Sequence, residues 1–507
     1  MKLTTYTFSS AFRIRILLIL AVTALYWGLT AVALDRYPAL WLDEGWIAEA
    51  AWTRAEGGPL GNPSHGTAFR LHERIYWNSP LYFLVLGTAY ATGVDPWLGG
   101  RALSVLAGYL TLLLLAHWVF SMPAPGEPRG PTMSGARIVA VVGLALLFTL
   151  DPFLWKSHRT IRFEAFTGLW TVGAVVAAVF LPRRWRGFAV GLLGGLAVLN
   201  HPNGVLGFAA AAGVVLLLEP TWPGRFRQAA VGLGVFLLTL SPWILYLAED
   251  RRFDFANVVG QNLPQFQEGA DRAFYSQILR EWRRYARYFA LPYLAVPLVL
   301  WAAVVAGGIR RRGPATVLFP LAVWAAGLAC LHKKTEFYLT SLAPYVFLLA
   351  AWLSLRIRLR WSLLLGGLWI ALLLGADAAL LYRNRSCDHP RWVEPLTEAI
   401  PEGASVAGSY LTWFSLRDHP YFDYTRRLAG DIYDGRADYV IWGDRLWAEP
   451  RFEGLRRELG PLLEAHADRV AETGSSACYG TAVVYRPRWD EVPEGAARAL
   501  SRYGGIR

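Results

Sequence analysis

Recurring apolar runs limit this chain more than any other feature. Between Ile14 and Leu381 the sequence returns repeatedly to uncharged stretches, most of them long enough for the roughly 30 Å hydrocarbon core of a bilayer. Lipid tolerates no open sheet edge, so such a core is all-helical. A composition with 54% hydrophobic residues and 23 Trp fits that reading and excludes an ordinary soluble enzyme. The net charge of +12 would by itself suggest nucleic acid. The basic residues instead cluster in short loops between apolar runs, where the positive-inside tendency accounts for them, so no nucleic-acid partner is expected.

Lys2, Arg13 and Arg15 precede the first run, Ile14 to Leu34, and put the N-terminus in the cytoplasm. Ala31-Val32-Ala33 resembles a signal-peptide cleavage site, but the run is longer than a signal core and reads as a retained helix. Residues Asp35 to about Asn78 are polar. Pro80 to Thr92 is apolar but short and reads as a helix at the outer surface. Spans follow from Leu98 to Phe120, Ile138 to Leu150 and Phe166 to Leu181, then onward to the last, Leu363 to Leu381, about eleven in all. The seventh, Ala229 to Leu247, leads into a long outer loop from Glu249 to about Arg287, and an eighth returns to Arg310-Arg311-Arg312. This count places every compact arginine cluster, Arg183-Arg184-Trp185-Arg186 and Arg356-Ile357-Arg358-Leu359-Arg360 among them, on the cytoplasmic side.

The expected organisation is a transmembrane module, 1–382, in the plasma (inner) membrane, with surface helices, followed by an extracytoplasmic domain, 383–507. That domain reads as small α/β, with strands at 404–408, 439–442 and 481–485 and a helix over 453–466. Cys387 and Cys478 share this oxidising side and form a candidate disulfide, whereas Cys330 lies in an apolar run.

Three polar stretches near the outer surface could carry chemistry. Asp43-Glu44 lies just past the first span, and Trp46, Ile47, Ala50 and Ala51 then recur at helical spacing. Asp43 is expected to cap that helix, and simple capping is the bland alternative to a catalytic role. Lys156-Ser157-His158-Arg159-Thr160-Ile161-Arg162-Phe163-Glu164 opens the fourth span; a charge at a helix centre costs about 2.5–3.5 kcal/mol on insertion. A snorkelling rim is its alternative reading. His332-Lys333-Lys334-Thr335-Glu336-Phe337-Tyr338 places lysines on the outer side, against the usual tendency, and a bound anion such as a lipid phosphate would account for them. His65, His72 and Glu73 share the first outer loop, but their spacing does not distinguish metal ligands from loop residues; no metal or cofactor is assigned and a divalent ion is left open.

These groups suit one reaction. A carboxylate takes the proton of a hydroxyl as it attacks a sugar carbon, and a phosphate held by cations leaves as a stable anion. The order of elements resembles the GT-C fold glycosyltransferases that use polyprenyl-phosphate-linked sugars, in particular protein O-mannosyltransferases and lipid A aminoarabinose transferases. In that family an Asp-Glu pair follows the first span, and Asp43-Glu44 matches it. The resemblance makes Asp43 the base, with Glu44 and Glu164 placing the acceptor or tuning Asp43. The family's second acidic motif, Arg-x-Asp or Arg-x-Glu, matches Arg162-Phe163-Glu164. Asn78-Ser79-Pro80-Leu81 keeps the Pro and Leu of a His-Pro-Pro-Leu-like segment but lacks its His. Lys333, Lys334 and Tyr338 resemble the basic loop that meets the donor phosphate, and Arg159 and Arg162 join them as phosphate ligands. The Asp-x-Asp motif of metal-using oligosaccharyltransferases does not follow the first span. The resemblance covers roughly Ile14 to Leu355, and the tail matches only as a kind of outer domain.

The implied protein is an inverting membrane glycosyltransferase. Its partners would be a polyprenyl-phosphate monosaccharide, membrane lipids, and a glycan, lipid or protein acceptor. A transporter or lipid flippase is the chief rival; such proteins carry ionisable residues mid-span and often two related halves, neither of which is evident here. A non-catalytic assembly subunit would explain the tail but not the paired acidic sites.

Overall fold

A computed structural model describes residues 10–65, 71–75, 78–122, 134–248, 312–330, 336–423, 437–445 and 453–493, together with Ser276, Leu279, Arg280 and Arg283. Apart from those four residues the long outer loop lies outside the described residues, as do the eighth span, Lys333 and Lys334.

The chain is a polytopic membrane protein, mostly helical, with one small sheet near its C-terminus. Helices α1 (Ser10–Ala31), α4 (Pro96–Ser121), α7 (Phe163–Phe180), α10 (Trp222–Ala248) and α13 (Leu359–Arg383) are each long and apolar enough to cross a bilayer. A sixth span is a bent pair, α5 (Gly135–Leu150) and α6 (Pro152–His158), whose axes differ by 64°. The bend sits at Asp151, whose side chain accepts from the backbone N–H groups of Phe153 (3.1 Å) and Leu154 (2.8 Å) and caps α6, with Pro152 at its first position. α8 (Arg183–Asn200) and the shorter α9 (Gly204–Leu218), α11 (Arg312–Cys330) and α12 (Ala343–Ser354) are the other bundle helices among the described residues. α8 crosses α10 and α9 at glycines: a Cβ at Gly191 would lie 2.3 Å from the Gly232 carbonyl oxygen. α1, α10 and α13 turn large apolar side chains outward, as lipid-facing helices do; on α13 these include Leu363, Leu364, Leu365, Leu368 and Leu372.

The expected surface helix is α3 (Leu81–Tyr90), a short apolar element packed on α2 (Leu42–Ala55), α4 and α8. The helix α2 differs from expectation at its start. Its cap is Trp41, so Asp43 and Glu44 fall inside the first turn. Glu44, three positions past the cap, accepts the Trp41 N–H at 3.1 Å, and both carboxylates complement the positive end of the helix dipole.

After α13 the chain forms α14 (His389–Ala399) and a five-stranded sheet, order β2-β1-β3-β5-β4. β1 (Val406–Gly408) is parallel to both β2 (Tyr421–Asp423) and β3 (Tyr439–Asp444). β5 (Gly480–Pro487) runs antiparallel to β3 and to β4 (Ala467–Glu472). α15 (Tyr410–Leu416) follows β1, and α16 (Glu453–His466) spans the helix read from periodicity. β2 and β4 were not expected: β2 has three residues, and β4 alternates poorly, its residues half-buried or exposed throughout.

This domain is not a loose appendage. Its core is continuous with that of α2 and α3, joining Ile47 and Phe83 with Tyr410, Trp413 and Val440. Glu49 is buried and accepts from the Tyr410 hydroxyl at 2.7 Å, from the Ser64 N–H and hydroxyl at 2.8 and 2.7 Å, and from Asn62 at 3.0 Å. Burial pushes its carboxyl above the usual range. The N–H of Leu40 donates to the Tyr479 hydroxyl at 3.0 Å. Cys387 and Cys478 are paired, their Cα atoms 5.5 Å apart, while Cys330 is free.

Two measurements check this arrangement. Denatured, unreduced protein should take up maleimide at one of its three cysteines, Cys330, and at all three after reduction, read by intact mass. A Cβ on Gly45 would stand 2.7 Å from the Tyr410 carbonyl oxygen, so Gly45→Ala should cost about 1–3 kcal/mol of stability and lower the melting temperature in detergent.

Candidate functional site

The end of the bundle that carries the sheet domain also gathers the charged segments. α1 ends there, α4 and α7 begin there, and α2 lies across it. The bend at Asp151 swings α6 sideways, so residues 156–162 run over this face instead of continuing α5.

Glu44 and Arg101 form its buried centre, both with fully buried side chains. Arg101 comes from the first turns of α4 and donates Nε to Oε2 at 3.0 Å and Nη2 to Oε1 at 2.8 Å. Oε1 also accepts the Trp41 N–H, and Oε2 the Ile161 N–H at 3.0 Å. The acceptor capacity of the carboxylate is thereby filled. Arg101 further donates Nη1 to the Leu34 carbonyl at 2.7 Å. Glu44 thus has no oxygen left for an acceptor; it fastens α1, α2, α4 and the segment before α7 to one another. Arg101 was not singled out from sequence, although a lone arginine in the otherwise apolar run from Leu98 to Phe120 is a signal of a paired intramembrane charge.

Asp43, the neighbouring residue, points the other way, and its side chain is 48% exposed. Its Oδ2 is ion-paired with Arg162 Nη1. The rest of the Arg162 fork holds Glu164, Nε to Oε2 at 3.2 Å and Nη2 to Oε1 at 3.0 Å. The two carboxylates raise the guanidinium above its ordinary value against the opposing effect of burial. Asp43 and Glu164, far apart in sequence, therefore meet through one guanidinium. Arg162 also lies over the Phe337 ring, 4.0 Å from its centroid, and Lys156 Nζ approaches the same ring at 4.9 Å. Tyr338, in the 3₁₀ turn Glu336–Ser341, contacts His201 with ring centroids 5.9 Å apart, and His201 contacts Phe163 at 5.7 Å. His201 is a further candidate at this rim, in the turn His201-Pro202-Asn203-Gly204 between α8 and α9.

Arg159 does not join this group. It is wholly buried, donates Nη2 to the Val32 carbonyl, and lies over Trp155 at 4.4 Å and Tyr37 at 5.8 Å. A side chain enclosed on that side is not presented to a ligand beside Asp43, although Arg159 had been grouped with the phosphate ligands. Burial, reinforced by Arg101, pulls its guanidinium down to about 9. The loop histidines are likewise apart from each other: buried His65 faces Asp423 of β2 at 3.6 Å, whereas His72 contacts Glu73 at 3.5 Å.

The two acidic neighbours should respond differently to loss of charge. Glu44→Gln strands the Arg101 guanidinium in a buried place and should cost about 3–5 kcal/mol. Asp43→Asn should leave the melting temperature within about 2 °C: Asp43 is half-exposed, where a pair contributes about 0–1 kcal/mol, and the buried Arg162 keeps Glu164 as its counter-ion. Thermal unfolding of both variants in the same detergent tests the contrast.

No family model matches the chain. Among solved structures it is similar to ArnT from Cupriavidus metallidurans bound to undecaprenyl phosphate, with a TM-score of 0.63 and 15% identity over 93% of this chain and 97% of that one. The apo state of the same ArnT gives a TM-score of 0.59 at 14% identity, covering 94% and 98%. The architecture is thus GT-C-like, as in that lipid A aminoarabinose transferase. By sequence the chain is 30% identical over 233 residues, 45% of its own length and 72% of the relative's, to a protein named undecaprenyl-diphosphatase from Alkalilimnicola ehrlichii. The chain belongs to one family with that Alkalilimnicola protein, and it carries the GT-C-like fold.

Proposed function

We propose that the protein is a membrane glycosyltransferase that moves a monosaccharide from a polyprenyl-phosphate donor to a hydroxyl acceptor on the outer, domain-bearing side of the membrane. The observation that carries this reading is the exposed Asp43 carboxylate tied through Arg162 to Glu164 at the rim of a GT-C-like bundle. ArnT, whose fold the chain shares, binds undecaprenyl phosphate. The arginine-rich ends of α8, α10 and α13 lie at the opposite end of the bundle, which suits a cytoplasmic face there and an extracytoplasmic sheet domain in the inner membrane.

In this mechanism Asp43 takes the acceptor proton as the hydroxyl oxygen bonds to the anomeric carbon. The bond from that carbon to the phosphate oxygen breaks, and polyprenyl phosphate departs with the electron pair. One displacement inverts the configuration. The departing charge is already stable, so cations and not a strong acid are needed. Arg162 and Lys156 supply them, with Lys333, Lys334 and Tyr338 as further ligands on sequence grounds. An arriving phosphate competes for Arg162 Nη1, the group that occupies Asp43, so donor binding would release the base where the acceptor reacts. Glu164 keeps the guanidinium oriented through the exchange, and Glu44 acts only by positioning.

The Alkalilimnicola relative favours a second reading, release of phosphate from undecaprenyl diphosphate. The same cations would grip either headgroup, but water would then attack phosphorus and not carbon.

The test offers both substrates to purified protein in lipid nanodiscs: a radiolabelled undecaprenyl-phosphate sugar with total lipid and glycan acceptors, and undecaprenyl diphosphate. Sugar transfer is expected, reduced about 10²–10⁴-fold by Asp43→Asn. Phosphate release without transfer would select the second reading, and transfer undiminished in Asp43→Asn would remove Asp43 as base.

A further inference from the structure

The last span contains one acidic residue, and it is turned inward. Of the 25 residues of α13 only Ser362, Leu373 and Asp377 are buried; much of the rest meets lipid. Leu373 and Asp377 are one helical turn apart, on the face that packs against α5 and α6. An ionisable side chain held inside a span is costly unless something nearby answers its charge.

The residues near Asp377 supply that answer. Its carboxylate is within electrostatic reach of Asp151, at the α5–α6 bend, and of Arg159 and Tyr37. All three charged side chains are buried: Asp151 and Arg159 are 0% exposed and Asp377 is 6% exposed. Each also has polar atoms without a hydrogen-bond partner among the described residues. These are Nε and Nη1 of Arg159, Oδ2 of Asp151 and Oδ1 of Asp377. Buried donors and acceptors left over in such number, from opposite charges on elements packed together, are satisfied in folded proteins by ordered water or by each other. The donors are in the segment that reaches the site: Ile161, two residues after Arg159, binds Glu44, and Arg162, three after, holds Asp43 and Glu164.

We propose that Asp377 is a positioning residue: with Asp151, and through ordered water, it holds the Arg159 guanidinium and so ties the last span to the segment that orients Arg162. The cluster fixes residues 156–162 from below while Glu44 fixes them from the side. It makes the seating of α13 on α5 and α6, and with it the root of the sheet domain, a condition for the geometry at Asp43. The ligand at this place is water, held by two carboxylates and one guanidinium.

The first test needs no substrate. Arg159→Met, Asp377→Asn and the double variant are melted as full-length protein in one detergent. Arg159→Met leaves two buried carboxylates with no cation between them, so adding Asp377→Asn should raise its melting temperature. If the two losses simply add, the groups are independent and the proposal is overturned. Should Arg159→Met fail to fold, Asp377→Leu decides: a span residue without this role would be neutral or stabilised by Leu, and that result also overturns it.

The second test rests on the transferase reading. Asp377→Asn should lower kcat about tenfold per folded enzyme at unchanged donor KM, and Asp377→Glu should recover most of it. A purely structural role would reduce folded protein without moving kcat, and an unchanged kcat overturns the positioning role. A wild-type protein with no transferase activity would defeat the functional reading alone, leaving the melting cycle to decide this one.

Discussion

The bidentate pair between Glu44 and Arg101 is the contact on which the domain-bearing face depends. It lies where no solvent reaches, and its two side chains together bind four separate pieces of chain: the end of α1, the start of α2, the start of α4 and the segment before α7. A buried ion pair contributes little net stability, since desolvation offsets most of its attraction; its effect is on which arrangement is permitted. Here every oxygen and most of the guanidinium are matched, so a shifted register at any one of the four would leave a bare charge. Asp43 can be exposed and available because its neighbour carries this structural duty.

From that centre the site is assembled by redirection of helices. The Asp151 cap and Pro152 end one helix and start another at a steep angle, a break that an uninterrupted span would not allow. Lys156 and Arg162 are thereby brought to the Phe337 ring, and Arg162 can bridge carboxylates from α2 and α7. The sheet domain closes the arrangement from outside. Parallel strands usually leave a ligand crevice beyond their carboxyl ends. In this domain Tyr410, just past the end of β1, presses on Gly45 and hydrogen-bonds Glu49, so α2 occupies that position. The domain acts as a clamp on the helix that presents Asp43.

Much of this was legible in the residues. The positions of the described long spans followed from run length, because lipid admits little besides helix, and α16 followed from its periodicity. The meeting of Asp43-Glu44 with Arg162-Phe163-Glu164 was legible from the order of the spans, which brings both to one end of the bundle. Less legible was the division of labour inside each motif. Asp43 and Glu44 are adjacent carboxylates, yet one is half-exposed and the other sealed, a difference set by where Arg101 arrives from α4. Arg159 and Arg162 are three residues apart in a short irregular segment, and only its fold sends one inward to Trp155 and the other to the rim. The short strands β2 and β4 escaped because neither has the alternation that marks a half-buried strand.

By itself the sequence determined the class of protein and which of its charged stretches fall at the same end of the helices. Those properties are local: hydropathy sums over a window, and a charge prefers water over hydrocarbon wherever its partners lie. The tertiary structure alone decided which carboxylate faces solvent, that Arg162 joins Asp43 to Glu164, and that Asp377 turns inward toward Arg159. Each depends on the direction from which a distant segment approaches, and a hydrogen bond, unlike hydropathy, exists only when two such segments meet.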